Sequence, residues 1–180
     1  PPRATLLFAL DRFDAEGTNH AHMAVDFGSG NGRDTVELLR RGWRVLAVDA
    51  EPKAIDELRA RFGDEARPRL EARVARFEDV ALPACELVNS SFALPLCRPD
   101  AFPRVWRKIH DALRPGGRFA GQLYGERDSW FGDPTLIFHT RAAAENLLAG
   151  YEIEHFREEE DDSVTPRGTP KHWHIFHIVA

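Results

Sequence analysis

The most constraining feature of this sequence is a glycine-rich segment, Asp26-Phe-Gly-Ser-Gly-Asn-Gly32, that follows an apolar run and precedes a helical pattern. The run Met23–Phe27 is short and favours a buried strand, whereas residues 34–39 place apolar side chains at helical spacing. Glycines allow positive φ angles and a close approach of a ligand to the backbone, and the following helix begins with unpaired N–H donors. The segment therefore predicts a nucleotide-like ligand at the carboxyl end of a strand.

The spacing of the glycines argues against two other nucleotide-binding patterns. Arg33 stands where a dinucleotide-binding loop has its third glycine, and no Gly-Lys-Ser/Thr follows, which disfavours an NAD-dependent enzyme and a phosphate-binding loop. Asp49 ends the next predicted strand, about twenty residues on, where a carboxylate can accept hydrogen bonds from both hydroxyls of a ribose. The structural alternatives are a glycine-rich turn without function and, for Asp49, a turn or N-cap role before Pro52.

Strand and helix patterns alternate along the whole chain. They predict helices at residues 3–13, 34–40, 52–62, 101–113 and 141–149, and strands at residues 23–27, 44–48, 70–77, 86–90, 118–124, 151–157 and 172–179. We therefore predict an α/β fold: a doubly wound, mostly parallel seven-stranded sheet with helices on both faces and a C-terminal antiparallel strand. The acidic run Glu158–Asp162 falls between the last two predicted strands, and we interpret it as a solvated loop.

Composition narrows the class of protein. The chain has 180 residues, a net charge of -5 and 43% hydrophobic residues, which suits one soluble domain. This acidity disfavours a sequence-blind nucleic-acid binder, and no apolar run approaches the roughly 20 residues of a membrane span. Two cysteines, Cys85 and Cys97, indicate a reducing compartment. We expect a cytoplasmic monomer or homodimer without nucleic-acid or membrane partners, and we expect natural sequence to precede Pro1, where no leader is present.

In order and spacing, four segments resemble the class I S-adenosylmethionine-dependent methyltransferases. Val25–Gly32 is similar to the first motif of that family, Val45–Asp49 to the second, Phe77–Asp79 to the third and Leu113–Phe119 to the passage into the fifth strand. Among its members, the chain looks most like small single-domain proteins, including those named for tellurite resistance. The resemblance implies a Rossmann-like methyltransferase fold, with an N-terminal helix and lid at residues 1–21, a cofactor core at 22–124, and a substrate loop and terminal strands at 125–180.

The resemblance also implies S-adenosyl-L-methionine as cofactor and S-adenosyl-L-homocysteine as product. The glycines would lie beneath the methionine part, with Asp26 near its amino group, and Asp49 would hold the ribose. Ala50 and Asp79 would contact the adenine, and Asn89 and Ser90 would face the sulfonium. The implied cofactor residues are Asp26, Gly28, Ser29, Gly30, Gly32, Asp49, Ala50, Phe77, Glu78, Asp79, Asn89 and Ser90.

Loops beyond the strand ends supply the candidates for substrate binding and catalysis. They include a polar loop with His20, and aromatic residues outside predicted elements, which suit pocket walls. The substrate candidates are Phe92, Tyr124, Arg127, Trp130 and Trp173, and the candidates for a catalytic base are His139, His172 and Tyr124. No His-x-x-x-His or Cys-x-x-Cys pattern occurs, so we predict no metal site.

The resemblance implies transfer of a methyl group from S-adenosylmethionine to a small-molecule acceptor by in-line displacement. A small acceptor is favoured because little chain remains for a docking domain, and because Asn89-Ser-Ser-Phe92 is not the Asn/Asp-Pro-Pro-Tyr motif of amide and nucleobase methylases. The alternatives are a non-catalytic S-adenosylmethionine-binding protein and a methyltransferase acting on a macromolecule. The sequence leaves open whether the acceptor atom is N, O, S or a metalloid.

Overall fold

The computed structural model describes residues 1–17, 22–62, 68–165 and 168–180, so the predicted loop residue His20 lies outside the described residues. The described ranges contain five α-helices: α1 (Ala4–Glu16), α2 (Arg33–Arg40), α3 (Pro52–Phe62), α4 (Phe102–Ala112) and α5 (Arg141–Leu147). The strands of these ranges are β1 (Met23–Phe27), β2 (Arg44–Asp49), β3 (Leu70–Val74), β4 (Cys85–Ser90), β5 (Leu113–Gly125), β6 (Phe138–His139), β7 (His155–Val164) and β8 (Pro170–Val179).

All the strands join one sheet, whose spatial order is β3-β2-β1-β4-β5-β8-β7, with β6 paired to β5. The first five strands and β6 pair in parallel, whereas β8 runs antiparallel to both β5 and β7. The order reverses between β1 and β4, where Asp26 pairs with Asn89. In open α/β sheets this switch point is where ligands bind, because the chains leaving the two neighbouring strands turn to opposite faces.

Helices cover both faces of the sheet and bury a separate core on each. On one face α4 contributes Val105, Trp106 and Ile109, which pack with Phe119 of β5 and Phe176 of β8. On the other face, α1, α2 and α3 bury apolar side chains that include Leu6, Leu10, Leu38, Ile55 and Leu58. Burial at about 25 cal/mol per Å² of apolar surface makes these two layers the main source of stability. The predicted α/β fold class is confirmed.

The acidic run Glu158–Asp162 is part of β7, so the prediction of a solvated loop is wrong. β7 pairs along its whole length with β8, placing Glu160 opposite His174 and Asp162 opposite His172. The ring of His172 is hydrogen-bonded to Asp162 and Glu160, and the guanidinium of Arg127 pairs with Glu158 and Glu160, so these contacts offset the repulsion within the run. Strand pairing therefore overrides the local preference of acidic residues for a loop.

Other differences concern element boundaries and one short strand: β3 ends at Val74 where the prediction ran to residue 77, and β7 begins at His155 where the prediction began at residue 151. β6 is too short to give a sequence signal, and β5 begins before the predicted helix stop at Pro115-Gly116-Gly117. There its register with β4 shifts between Cys85 and Leu87, which lets the strand accommodate a proline and glycines that would weaken a regular ladder.

No helix within the described ranges combines the length and apolarity that a membrane crossing requires.

Candidate functional site

The glycine segment forms a tight loop between β1 and α2. The N–H groups of Gly28 and Ser29 both donate to the carbonyl oxygen of Val48, at 2.8 and 3.0 Å, which ties the loop to β2. At Gly28, with φ +80°, an added Cβ would overlap the Cβ of Ala93. Gly30 also has positive φ, but nothing lies within 4 Å of the place where its Cβ would be. The loop thus packs tightly at Gly28 and presents open backbone at Gly30.

Gly32 has a different position from the other two glycines. It is the N-cap of α2, with φ +90°, and an added Cβ there would overlap the side chain of Leu58 in α3. This glycine therefore allows close packing of two helices. Of the implied methionine contacts, Gly28 lines the cavity described below and Gly32 does not.

Asp49 connects the end of β2 to the glycine loop. One oxygen of its carboxylate accepts a hydrogen bond from the N–H of Gly30 at 2.8 Å, and the other accepts from the N–H of Glu51 at 2.9 Å. A carboxylate offers about four lone-pair positions, so both oxygens can accept a further hydrogen bond. The turn role considered as an alternative and a ligand-binding role are therefore compatible.

A cavity of about 390 Å³ opens beside the glycine loop, at the carboxyl ends of the parallel strands. Its lining includes the implied cofactor residues Gly28, Asp49, Ala50, Phe77 and Glu78 and the substrate candidate Phe92. The volume falls within the range of small-molecule sites, about 300 to 1,000 Å³. The ring of Phe77 packs edge-on against Phe27, with centroids 4.7 Å apart, and gives the cavity an apolar wall. A purine and a ribose would thus meet an apolar surface and a carboxylate.

Lys108 of α4 holds the segment that carries Phe77 and Glu78. Its ammonium donates to the carbonyl oxygens of Phe77 at 3.0 Å, Glu78 at 3.0 Å and Val80 at 2.7 Å. The pKa of Lys108 is lowered by burial, and the negative charge of the nearby Asp79 offsets only part of this shift. Sequence reasoning did not single out Lys108, because a lysine in a helix gives no signal of a bond to a distant loop. Asp79 is not among the residues that line the cavity, and its contact with adenine stays a prediction.

A buried polar network lies beneath the loop. Asp26 accepts hydrogen bonds from the hydroxyl of Thr35 at 2.6 Å and from the side-chain amide of Asn89 at 2.9 Å. Burial, followed by the negative charge of Asp34, raises the pKa of Asp26 to about 6. Ser90 is also buried, and its hydroxyl donates to the carbonyl oxygen of Phe27 at 2.9 Å. The side chains of Asn89 and Ser90 thus serve this network, and Ser91 and Phe92 line the cavity in their place.

Phe92 has a strained backbone at the mouth of the cavity. Its φ of +58° makes it the only non-glycine residue with positive φ in the part of the chain that the structure describes. The Phe92 N–H donates to the side-chain oxygen of Gln122 at 3.1 Å, and Gln122 in turn donates to the hydroxyl of Thr5 at 2.8 Å. Such a conformation costs on the order of 1 to 3 kcal/mol and persists where surrounding contacts hold it. Gln122 and Thr5 supply those contacts, and nothing in their sequence spacing indicated it.

Three substrate candidates come together around a buried lysine. The rings of Tyr124, Trp130 and Trp173 contact one another, with centroids 5.5 to 6.3 Å apart. The ammonium of Lys171 lies 3.6 Å from the centroid of Trp130 and 4.2 Å from that of Trp173, and it pairs with the carboxylate of Asp128. The side chains of Lys171 and Asp128 are fully buried, and none of the three rings lines the cavity. Neither charged residue was predicted.

The substrate candidate Arg127 points elsewhere. Its guanidinium pairs with Glu158 and Glu160 of β7, both at 2.6 Å, on the surface of the terminal strands. These two carboxylates and His174 are close enough to hold a metal ion, with ligand atoms within 4.8 Å of one another. Arg127 already supplies a positive charge there and, with His174 and Arg141, lowers the pKa of Glu158 to about 2. The predicted absence of a metal stays a prediction.

The candidate bases His139, His172 and Tyr124 do not line the cavity, and their catalytic role stays a prediction. His139 is buried against Phe102 of α4, with ring centroids 5.3 Å apart, and burial lowers its pKa to about 4. His172 is bound to Asp162 at 2.8 Å and Glu160 at 3.1 Å on the terminal strands. The buried Tyr124 has its pKa raised to about 12, by burial and then by the charge of Asp128. The structure therefore does not place either histidine at the cavity, and the Tyr124 phenol is protonated at neutral pH.

Comparison with known proteins gives a consistent result. The sequence profile of a family described as a methyltransferase domain matches residues 24–117. An uncharacterized methyltransferase of Mycobacterium tuberculosis is 35% identical over 115 residues, which are 62% of this chain and 43% of that protein. The chain thus spans less than half the length of this curated relative.

Solved structures share the fold at low identity. TehB from Haemophilus influenzae superimposes with a TM-score of 0.73 at 14% identity, covering 94% of this chain and 60% of TehB. The 1,6-didemethyltoxoflavin-N1-methyltransferase of Burkholderia thailandensis, solved with 1,6-didemethyltoxoflavin and S-adenosylhomocysteine bound, gives a TM-score of 0.60 at 23% identity, covering 97% of this chain and 78% of that protein. At these identities the likeness concerns the fold.

Proposed function

Since this chain belongs to the methyltransferase-domain family of class I S-adenosylmethionine-dependent methyltransferases, we propose that it transfers a methyl group from S-adenosylmethionine to a small-molecule acceptor. One observation carries the proposal: the cavity at the switch point of the sheet joins Gly28, Asp49 and Phe77 on one side to Phe92 on the other. The first three suit an adenosine, and the last follows the end of β4. A cofactor and an acceptor would therefore meet at the end of β4.

The residues present fit the cofactor. Asp49 has free lone pairs for ribose hydroxyls, Phe77 offers an apolar wall for the purine, and Gly30 leaves open space above its backbone. When bound, S-adenosylmethionine supplies a methyl group that its sulfonium already activates. What the protein adds is orientation and the exclusion of water, and orientation can contribute about 7 to 11 kcal/mol to lowering a barrier.

The acceptor side is aromatic, which supports a small and partly planar acceptor. Phe92 lines the cavity at the end of β4, and the cluster of Tyr124, Trp130 and Trp173, outside that lining, lies near the neighbouring ends of β5 and β8. Aromatic walls with few charged groups are typical of small-molecule sites. The Burkholderia neighbour, by its name, methylates a small heterocycle, which agrees with this proposal without identifying the acceptor here. A cytoplasmic monomer or homodimer without nucleic-acid or membrane partners is part of the same proposal.

The candidate bases limit the chemistry of the acceptor atom. His139 and His172 lie away from the cavity, and Tyr124 holds its proton at neutral pH. We therefore expect an acceptor whose lone pair is free near neutral pH, such as a ring nitrogen or a soft anion, because it needs no strong base.

Calorimetry with S-adenosylhomocysteine tests the cofactor site. We expect the protein to bind it and Asp49→Ala to bind at least about tenfold more weakly, since a hydrogen bond from a hydroxyl to a charged group contributes about 1.5 to 3 kcal/mol. The matched control is Asp56→Ala, which removes an exposed carboxylate of α3 and leaves affinity unchanged. Absence of binding by the unaltered protein would overturn the proposal.

A labelling experiment tests the class of acceptor. The protein is incubated with methyl-labelled S-adenosylmethionine and, separately, with the small-molecule and macromolecular fractions of a cell extract. We expect label in the small-molecule fraction. Label confined to nucleic acid or protein would contradict the proposed acceptor, and no transfer in either fraction would favour a non-catalytic binding protein.

A further inference from the structure

Three large apolar side chains are exposed at the end of the sheet where the cavity opens. Leu96 is 58% exposed and also lines the cavity, and Trp130 and Phe131, in the segment after β5, are 38% and 61% exposed. We call these three side chains the apolar rim. Single exposed apolar side chains are ordinary, but a group of them beside a cavity marks a binding surface. The other exposed large apolar side chains of the described ranges are single ones at the end of β3, before β7 and at the end of β7: Val74, Ile153 and Val164.

Contacts between two segments bring the members of the apolar rim together. The N–H of Ile137 donates to the carbonyl oxygen of Pro95 at 3.0 Å, next to Leu96 in the chain. The ring of Phe131 packs edge-on against Phe138, with centroids 5.6 Å apart. Because Phe138 directly follows Ile137, the loop after β5 turns back onto the short helical turn Leu94–Leu96. The exposed side chains of both segments therefore border the same opening.

The cavity mouth has a charged side and an apolar side. The guanidinium of Arg3, before α1, lies over the ring of Phe92, 4.5 Å from its centroid. Helix α1 belongs to the core layer on one face of the sheet, whereas Leu94 and Cys97, on either side of Leu96, belong to the layer on the other face. A molecule that reaches Phe92 thus has a cation toward α1 and the apolar rim toward the opposite face.

We propose that the acceptor carries an apolar chain that lies on the apolar rim while its reacting group enters the cavity at Phe92. The inference rests on the proposed function, because it takes this cavity as the place where cofactor and acceptor meet. Leu96 belongs both to the cavity lining and to the rim, so a single molecule can contact the two. The substrate class is therefore a lipid-soluble small molecule with a polar reacting end.

The size of the apolar rim favours such a chain over a protein partner. A stable protein interface takes about 20 to 30 residues a side. The rim offers three large apolar side chains, which suits the side of one hydrocarbon chain. Removing apolar surface from water is favourable in proportion to its area, so each of the three contributes to binding the chain. Phe131 does not line the cavity, so changing it alters the rim and leaves the cofactor site intact.

The labelling experiment tests this inference when the small-molecule fraction is divided between chloroform and water. We expect the methyl label in the chloroform phase. Phe131→Ser should lower the initial rate of that labelling about tenfold, since a single methylene in an apolar site changes kcat/KM by about tenfold or more. Phe131→Leu keeps an apolar side chain and should keep the rate. The matched control is Val164→Ser at the end of β7, since Val164 is also 61% exposed, and it should keep the rate too.

Calorimetry separates the rim from the cofactor site. We expect S-adenosylhomocysteine to bind equally well to the unaltered protein and to all three variants. Label confined to the aqueous phase, an unchanged rate in Phe131→Ser, or an equal loss in Val164→Ser would overturn the inference and leave the proposed function in place. Label in neither phase, or no binding of S-adenosylhomocysteine by the unaltered protein, would contradict the proposed function itself.

Sedimentation identifies the other molecules that could cover the apolar rim. The unaltered protein and Phe131→Ser are compared alone and with phosphatidylcholine vesicles. We expect neither protein to sediment with the vesicles, and we expect both to have the same oligomeric state. A dimer that Phe131→Ser dissociates would assign the rim to a second copy of the chain, and vesicle binding that Phe131→Ser abolishes would assign it to a membrane. Either result would overturn the inference.

Discussion

A single buried carboxylate, Asp26, links the cofactor site to the stability of the protein. It is 1% exposed and receives hydrogen bonds from Thr35 and Asn89. Those two bonds lower its pKa, but burial and the charge of Asp34 outweigh them and raise it to about 6. The ionised form is therefore less stable in the folded protein than in water, which is the state expected of a group that a bound cation would help to stabilise.

This shift predicts a specific pH dependence of stability. Because the pKa of Asp26 is higher in the folded protein than in the unfolded chain, the folded state binds more protons at pH values between these two pKa values. The contribution of Asp26 to stability therefore falls as pH rises through about 6. Asp26→Asn removes the titration. We compare the unfolding free energy of this variant with that of the unaltered protein at each pH. We expect the difference to shift in favour of the variant by roughly 2 to 3 kcal/mol from about pH 4 to pH 7. Urea unfolding at both pH values measures it, and a difference that does not change with pH would contradict it.

At the scale of elements, the β5–β6 connection is held by one buried ion pair. Lys171 of β8 pairs with Asp128, whose carboxylate also accepts from the backbone N–H groups of Trp130 at 2.9 Å and His174 at 3.3 Å. Gly125 allows the ring of His174 to lie against the end of β5, because an added Cβ there would overlap that ring. The pair thus orients the aromatic cluster that we assign to the acceptor.

Removing one partner of that pair should be costly. Lys171→Met leaves the Asp128 carboxylate buried without a counter-charge, for which about 3 to 5 kcal/mol of unfolding free energy is the usual loss. In the double variant with Asp128→Asn the uncompensated charge is absent, so we expect part of the loss to be recovered. Denaturant unfolding followed by tryptophan fluorescence measures both variants, with Lys53→Met on α3 as the exposed control. A double variant no more stable than the single one would refute the argument.

At the scale of the whole molecule, strand pairing decides where much of the acidic excess behind the net charge of -5 lies. The acidic run of β7 meets His172 and His174 across the β7–β8 ladder, and Arg127 and Arg141 contact Glu158 from outside it. The acidic excess is therefore locally compensated at this edge of the sheet. It does not bear on the cavity, which lies at the other strands.

Ligand binding should stabilise the whole domain. A ligand that binds only the folded state at a hundredfold excess over its Kd adds about 2.7 kcal/mol. For a chain of this size that corresponds to a rise in Tm of roughly 5 to 10 °C. We expect S-adenosylhomocysteine to produce this rise in the unaltered protein and Asp49→Ala to lose about half of it at the same concentration, because a tenfold weaker Kd leaves about 1.4 kcal/mol of stabilisation, as measured by differential scanning calorimetry. An unchanged Tm at saturating ligand would contradict the assignment of the cavity.

The sequence alone determined the order of the helices and of the strands other than β6, the α/β class and the position of the cofactor loop. These features depend on local patterns: apolar periodicity, a glycine segment after a strand, and carboxylates at strand ends. Asp49 could be found for the same reason, since it ends a strand that the pattern marks, whereas Phe77 was implied by the family resemblance.

Only the tertiary structure decided which side chains meet at the site. Arg3, Lys108 and Lys171 act on segments far away in the chain, and Asn89 and Ser90 turn inward because buried polar partners exist for them. His139 was a reasonable base by residue type, but its position on β6 places it against α4. Contacts between distant segments depend on how strands pair and helices pack, and local sequence patterns carry no information about that geometry.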